Sequence, residues 1–243
     1  MLGNLSWLPY FSCKPICLAD LGLPFRSYDS ESDAQVMNHT WTYSDSVRES
    51  LDIPIAIIDN FYSNEDYNKI ITELNYLYEI GAYKSPEDPN GPGTAYEDGV
   101  ALKGAKGIHL DTAYESRDMS DILSVNRQLF DKDLTTELIK GSPYFRYVSK
   151  CEKDYTKVHY YAQGDYYKPH TDQCVMTAIS WFYTPPRGFF GGEFMIEKQI
   201  QIESLNNRMV IFPSILEHEV KEVVMQDNQP GKGRYSISQF LYM

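Results

Sequence analysis

Tyr160-Tyr161-Ala162-Gln163-Gly164-Asp165-Tyr166-Tyr167-Lys168-Pro169-His170-Thr171-Asp172 lies at a change of pattern in this chain. From about residue 156 onward, short β-branched and aromatic runs alternate with turn formers. They are Cys174 through Thr184, Gly192–Glu197, Arg208–Phe212, His218–Val224 and Gly233–Tyr242. Runs of this kind read as strands. Helical patterns come first and many short strands follow, which predicts an α+β, mainly β chain with helices packed against an antiparallel sandwich.

Within the strand-rich half stand His170, Asp172 and His218. One carboxylate and two imidazoles are the ligand set of a facial triad, which holds Fe(II) and leaves positions open. In an extended segment His170 and Asp172, two residues apart, share a face, so His218 must arrive from another strand. Gly191-Gly192-Glu193-Phe194, Arg208-Met209-Val210-Ile211-Phe212-Pro213-Ser214 and Gly233-Arg234-Tyr235-Ser236-Ile237-Ser238 complete the pattern. In this order and spacing the chain resembles the Fe(II)/2-oxoglutarate-dependent dioxygenases, in their prolyl-4-hydroxylase-like branch. The likeness is dense over residues 155–243 and weaker from about residue 53.

That resemblance implies a double-stranded β-helix (jelly-roll) core with N-terminal helices packed against the major sheet. It makes His170, Asp172 and His218 the iron ligands and catalytic residues. Arg234 becomes the anchor for the far carboxylate of 2-oxoglutarate, with a guanidinium fork that matches a carboxylate. Tyr161, nine residues before His170, takes the place of a tyrosine that hydrogen-bonds the co-substrate, with Tyr160 as the neighbouring alternative. Tyr167 and Trp181 line the substrate pocket or pack in the core. The implied cofactors are Fe(II), 2-oxoglutarate and O2, with ascorbate supporting turnover. The implied reaction hydroxylates a C–H bond, foremost of a peptidyl proline, with succinate and CO2 as co-products. A free amino acid or other small molecule is the alternative substrate, and a non-catalytic jelly-roll module that binds a metal or a partner is a further alternative.

Two features complicate the pattern. His109-Leu110-Asp111 is also an HxD, and His159 follows Asp111 by 48 residues, against 46 from Asp172 to His218. It lacks the Gly-Gly-Glu strand, the Phe-Pro-Ser turn and a well-placed arginine. Arg234 lies 16 residues after His218, a long separation for this branch. An insertion at Asp227-Asn228-Gln229-Pro230-Gly231, read as a hairpin, explains it, and Lys232 and Lys221 are weaker anchor candidates.

The remaining sequence sets the frame. The chain of 243 residues is 42% hydrophobic, enough for one substantial core. Residues 1–50 read as an N-terminal extension and 51–243 as a single domain. Ile53–Asp59 reads as a buried strand, and Ser63-Asn64-Glu65-Asp66 caps a helix reaching about Ala82. Residues 119–140 read as one or two helices with Ile122, Val125, Leu129 and Leu138 inside. Residues 84–107, rich in Gly, Pro and acid, read as a long loop, a substrate cover or a disordered excursion.

A net charge of −12 without basic runs argues against a nucleic-acid backbone as partner. Phe240 stands where the nucleic-acid demethylase relatives carry a second arginine. Cys13, Cys17, Cys151 and Cys174 form no paired zinc motif and suggest reduced thiols in the cytoplasm. No stretch is long enough to span a bilayer, and the N-terminus lacks signal-peptide character. The sequons at Asn4 and Asn38 are read as chance.

Overall fold

A computed structural model of the chain describes residues 53–227 and 229–243. The expectations for residues 1–50, including Cys13, Cys17 and the sequons, lie outside the described residues.

In chain order the strands are β1 (Ala56–Ile58), β2 (Tyr96–Glu97), β3 (Val100–Ala101), β4 (Lys106–His109), β5 (Lys153–Tyr161), β6 (Tyr167–His170) and β7 (Met176–Phe182). They continue as β8 (Phe189–Gly191), β9 (Phe194–Ile196), β10 (Ile200–Ile202), β11 (Arg208–Pro213), β12 (His218–Val220), β13 (Val223–Met225) and β14 (Arg234–Tyr242). The α-helices are α1 (Asn64–Glu79), α2 (Leu110–Ala113), α3 (Asp121–Val125) and α4 (Lys132–Gly141).

The major sheet has the order β1-β11-β7-β14-β5-β4, and the minor sheet the order β10-β9-β12-β6. Every described ladder in both is antiparallel. The short β8–β13 pair continues the β9–β12 ladder, joined to it by Lys221 N–H donating to Glu193 O and Gly192 N–H donating to Glu222 O. This is the jelly-roll arrangement.

Alternation on the major sheet explains why both of its faces are filled. On β7, Met176, Ala178 and Phe182 face the helices, while Ile179 and Trp181 face the minor sheet. On β11, Met209 and Ile211 take the first side and Val210 and Phe212 the second. All seven residues of β7 are buried, as a central strand covered on both faces requires.

Helix α1 starts where Ser63 Oγ accepts the Asp66 N–H at 3.1 Å, satisfying one of the helix's free donors. Its Ile70, Leu74 and Leu77 are buried in the helix-side core, where Ile122, Leu129 and Leu138 also lie. Each side chain of this size stabilises the fold by about 1.5–3 kcal/mol when fully buried. The stretch 119–140 is therefore helical as expected, but a 3-10 turn over Asn126–Phe130 separates α3 from α4.

Three strand expectations need correction. His218–Val224 is not one regular strand: an offset at Lys221 and Glu222 divides it into β12 and β13, across which the ladder continues. The insertion after Asp227 is not a hairpin, since β13 pairs with β8 and β14 sits in the major sheet. Residues 84–107 are no bare loop. Asp98 and Gly99, both at positive φ, turn β2 into β3 as a two-residue hairpin. The segment then lies along β6, where Lys168 N–H donates to Leu102 O at 2.9 Å and Gly104 N–H to Tyr166 O at 3.0 Å. Docking there covers the free edge of the minor sheet and brings Lys103 into the cavity beside His170.

Candidate active site

His170 ends β6 and His218 begins β12, and the two are register partners on adjacent strands. Asp172 follows β6 and is fixed by its own N–H donating to Ser214 O at 3.0 Å. The ligand atoms of the three side chains lie within 4.8 Å of one another, and among the described residues they form the one such group of three or more. The Asp172 carboxylate lies 3.4 Å from His218 Nε2 and 4.0 Å from His170 Nε2.

Each imidazole is oriented from behind. His170 Nδ1 lies 2.9 Å from Lys168 O, and His218 Nδ1 lies 2.9 Å from Leu216 O. A carbonyl accepts only from N–H, so both rings turn an Nε2 lone pair inward, the state a divalent cation requires. Tyr167 stacks on His170 with centroids 3.5 Å apart, and Phe212 meets His218 edge-on at 5.0 Å. Burial, reinforced by His218, pushes the His170 pKa down to about 3, so the ring is neutral at physiological pH. Burial alone would raise the Asp172 carboxyl, but His218 and Thr177 hold it below the usual carboxylate range. Thr177 Oγ1 donates to Asp172 at 2.7 Å and touches Ser214 Oγ at 2.9 Å. Two imidazoles and one carboxylate, each backed by a second hydrogen bond, fit a divalent metal.

Arg234 begins β14 opposite Tyr161 on β5. It is 1% exposed, and its guanidinium sits 4.8 Å from the Tyr161 ring centroid and 5.8 Å from that of Trp181. Nη2 donates to Ser204 Oγ at 3.3 Å, while Nε and Nη1 have no partner. Burial pushes its pKa down to about 10, which leaves the group charged at neutral pH. A buried cation with two unanswered nitrogens is costly unless a carboxylate completes it, and a dicarboxylic acid fits that need.

The Gly-Gly pair of the motif makes this placement possible. Both glycines have positive φ. A Cβ on Gly192 would stand 3.2 Å from Arg234 Cδ and 2.8 Å from Val223 Cγ2. Gly192→Ala is therefore expected to displace the guanidinium and weaken 2-oxoglutarate binding about tenfold, the worth of one charged hydrogen bond, while metal affinity stays unchanged. Isothermal titration with each ligand checks this; an unchanged 2-oxoglutarate affinity would contradict the role given to Arg234.

Alternation settles the tyrosine pair. Tyr160 packs on the helix side against Tyr78 and Tyr235, while Tyr161 faces the cavity with Arg234. Tyr167 also lines the cavity. Trp181 is fully buried beneath Arg234 in the core and is not among the lining residues. Lys232 reaches Pro185 O and Lys221 pairs with Glu219, so neither points at the triad. The second HxD does not converge. Asp111 binds Arg117 at 2.8 Å and accepts the Thr156 N–H at 2.6 Å, while His159 faces the main cavity from β5.

Several lining residues were not singled out from sequence: Lys103, Lys157, Ser236 and Ser238, with His159 taken there only as part of the second HxD. Lys157 and His159 share the face of Tyr161 by strict alternation, a signal present in the sequence. Lys103 carries no local signal, because its place depends on docking of the 84–107 segment. Burial first, and Lys157 second, push the Lys103 pKa down to about 7. Burial likewise lowers Lys157 and holds His159 well below the usual imidazole range.

Residues 156–242 match the family model described as the 2OG-Fe(II) oxygenase superfamily. Curated protein sequences yield no match. Among solved structures, a Pseudomonas putida prolyl-4-hydroxylase aligns with a TM-score of 0.52 at 14% identity, covering 79% of this chain and 93% of that one. A Trichoplax adhaerens prolyl hydroxylase, solved with a peptide fragment of a hypoxia inducible factor oxygen degradation domain, gives 0.53 at 16% identity, covering 79% and 84%. A Burkholderia pseudomallei oxidoreductase of the 2OG-Fe(II) oxygenase family gives 0.50 at 14%, covering 81% and 87%. At such identities these likenesses establish the shared fold.

Proposed function

We propose, from the match of residues 156–242 to the 2OG-Fe(II) oxygenase superfamily model, that the protein is an oxygenase of that kind and hydroxylates a prolyl residue of a peptide or protein. One observation carries the oxygenase part: the His170–Asp172–His218 cluster shares a cavity with the unanswered guanidinium of Arg234. When bound, Fe(II) activates O2 so that 2-oxoglutarate is converted to succinate and CO2, one oxygen atom entering succinate and the other a substrate C–H bond.

The chain's own residues supply position and shelter. His170, Asp172 and His218 would hold the metal, with Thr177, Ser214 and the carbonyls of Lys168 and Leu216 keeping those three side chains aimed. Arg234 would take the far carboxylate of 2-oxoglutarate, with Tyr161 closing that end of the cavity. Phe194 and Ile179 line the cavity beside the triad, with Phe212 packed against Phe194 and His218, and exclusion of water protects a reactive centre from side reactions. Ascorbate would support turnover by keeping the iron reduced.

The proline assignment is supported by the shared prolyl-hydroxylase fold and by the 84–107 segment, which lies along β6 and presents a border on which an extended peptide could rest. Among the described residues no helix is long and apolar enough to cross a membrane. A free amino acid or other small molecule is the second reading, favoured by the basic side chains at the inner end of the cavity.

The test offers Fe(II), 2-oxoglutarate, ascorbate and O2 to the protein with a library of proline-containing peptides. Expected is peptide-stimulated succinate release with a mass gain of one oxygen atom on proline. Succinate without peptide stimulation would move the substrate to the small-molecule class. No succinate from metal-loaded protein would favour a non-catalytic binding module.

A further inference from the structure

Lys103 and Lys157 are two cations that line the same cavity as the triad. Lys103 is 5% exposed. Its Nζ donates to Gly93 O at 3.1 Å, lies 3.1 Å from His159 Nε2, and sits 4.3 Å from the Tyr167 ring centroid. Lys157 Nζ donates to Pro92 O at 3.1 Å and lies 5.1 Å from the Phe240 ring centroid. The carbonyls of two consecutive residues thus hold both ammonium groups near one another. Among the described residues neither lysine forms an ion pair. Each ammonium has three donors, so Lys103 keeps one to offer and Lys157 keeps two.

Like charges gathered in a desolvated pocket are unfavourable unless one gives up its proton or an anion joins them. Asp172 is the one carboxylate among the lining residues, and Thr177 and the two histidines already engage it. The basic cluster also stands out against a chain whose net charge is −12. A role as staples for the 91–93 turn accounts for one bond of each lysine and does not explain why two basic side chains are gathered in this cavity.

Register separates this cluster from the Arg234 end. Arg234 is opposite Tyr161 on the β14–β5 ladder, while Lys157 is opposite Ser238. Four residues of strand span roughly 13 Å at about 3.3 Å each. The four C–C bonds between the carboxyl carbons of 2-oxoglutarate, about 1.5 Å each, reach only roughly 5 Å end to end. At the backbone, Lys157 and Arg234 therefore stand farther apart than the two ends of one 2-oxoglutarate, and competition between an acid and the co-substrate tests whether their charged ends serve separate carboxylates.

We infer that Lys103 and Lys157 form a second anion subsite that receives a carboxylate of the substrate itself. The inference rests on the oxygenase assignment and narrows its substrate class to acids. For a prolyl substrate the carboxylate has two sources: the proline's own, when proline is free or C-terminal, or the side chain of a neighbouring Asp or Glu.

Calorimetry on the anaerobic protein loaded with Fe(II) and saturating 2-oxoglutarate separates the sources. The probes are N-acetylproline against N-acetylprolinamide, and acetyl-Pro-Glu-amide against acetyl-Pro-Gln-amide. In one pair the acid is expected to bind at least tenfold tighter than its neutral partner. A Lys103→Met/Lys157→Met double variant should erase that preference; if it does not fold, the wild-type pairs still decide. Preference in the first pair assigns the proline's own carboxylate, and in the second a side chain. Acids and amides binding alike, or failing to bind in both pairs, would overturn the subsite. So would competition between the acids and 2-oxoglutarate, which would place the lysines in the co-substrate site. Binding of 2-oxoglutarate and its conversion to succinate, followed in the same wild-type preparation, show separately whether the oxygenase assignment stands.

Discussion

Asp172→Ala is expected to lower Fe(II) affinity at least about a hundredfold and to abolish 2-oxoglutarate turnover. Loss of a group that merely orients a ligand costs about 10–100-fold in metal affinity, and Asp172 is assigned as a ligand itself. It is the only carboxylate of the cluster, so its removal leaves two imidazoles and no anion to hold a dication. Thr177 and Ser214 would keep a hydrogen-bonded frame with nothing to position. The comparison that gives this result its meaning is His109→Ala, which changes the second HxD. Asp111 is committed to Arg117 and the Thr156 backbone, so His109→Ala should bind iron as the unmodified protein does. Equilibrium titration with Fe(II) under argon reads both variants. Retained iron binding in Asp172→Ala, or its loss in His109→Ala, would move the metal site.

Arg234→Ala is expected to raise the apparent KM for 2-oxoglutarate at least about thirtyfold, with Fe(II) binding preserved. Removing one partner of a buried, hydrogen-bonded charge pair costs about 2–5 kcal/mol, and each 1.4 kcal/mol is a factor of about ten. The cost falls on the co-substrate because Nε and Nη1 have no partner in the protein to lose. Arg234→Lys should recover only part of it, since an ammonium offers a point charge in place of a planar fork. Steady-state kinetics at saturating Fe(II) gives the values. An unchanged KM in the alanine variant would hand the anchor to another cation, and Lys103 is the nearest in character, being buried in the same cavity.

What the sequence revealed and what it concealed divide along a physical line. The gathering of His170, Asp172 and His218 in one cavity with Arg234 was legible from the motifs around them and the resemblance those carry, since the second HxD has nearly the same spacing and does not converge. The two faces of the major sheet were legible as well, since period-2 alternation needs no knowledge of the partner strand. Alternation also assigns Tyr161 to the cavity and Tyr160 to the helices. The same rule applied two and four residues earlier places His159 and Lys157 beside Tyr161. Where the chain leaves a regular ladder, the pattern fails. The offset at Lys221 and Glu222 breaks one apparent strand into β12 and β13. Asp98-Gly99 was a hairpin signal overlooked among the prolines of its segment. Lys103 was not legible at all, because its position is set by pairing with Tyr167, 64 residues away in sequence. Trp181 reads from sequence as pocket or core, and packing beneath Arg234 decides for core.

The most direct test of the central claim is O2-dependent formation of succinate from 2-oxoglutarate by the purified, Fe(II)-loaded protein, run beside Asp172→Ala. The oxygenase assignment predicts succinate in the unmodified protein, none in the variant, and none in either without O2. Equal succinate in both proteins, or none in an unmodified protein with iron verified in place, would contradict it.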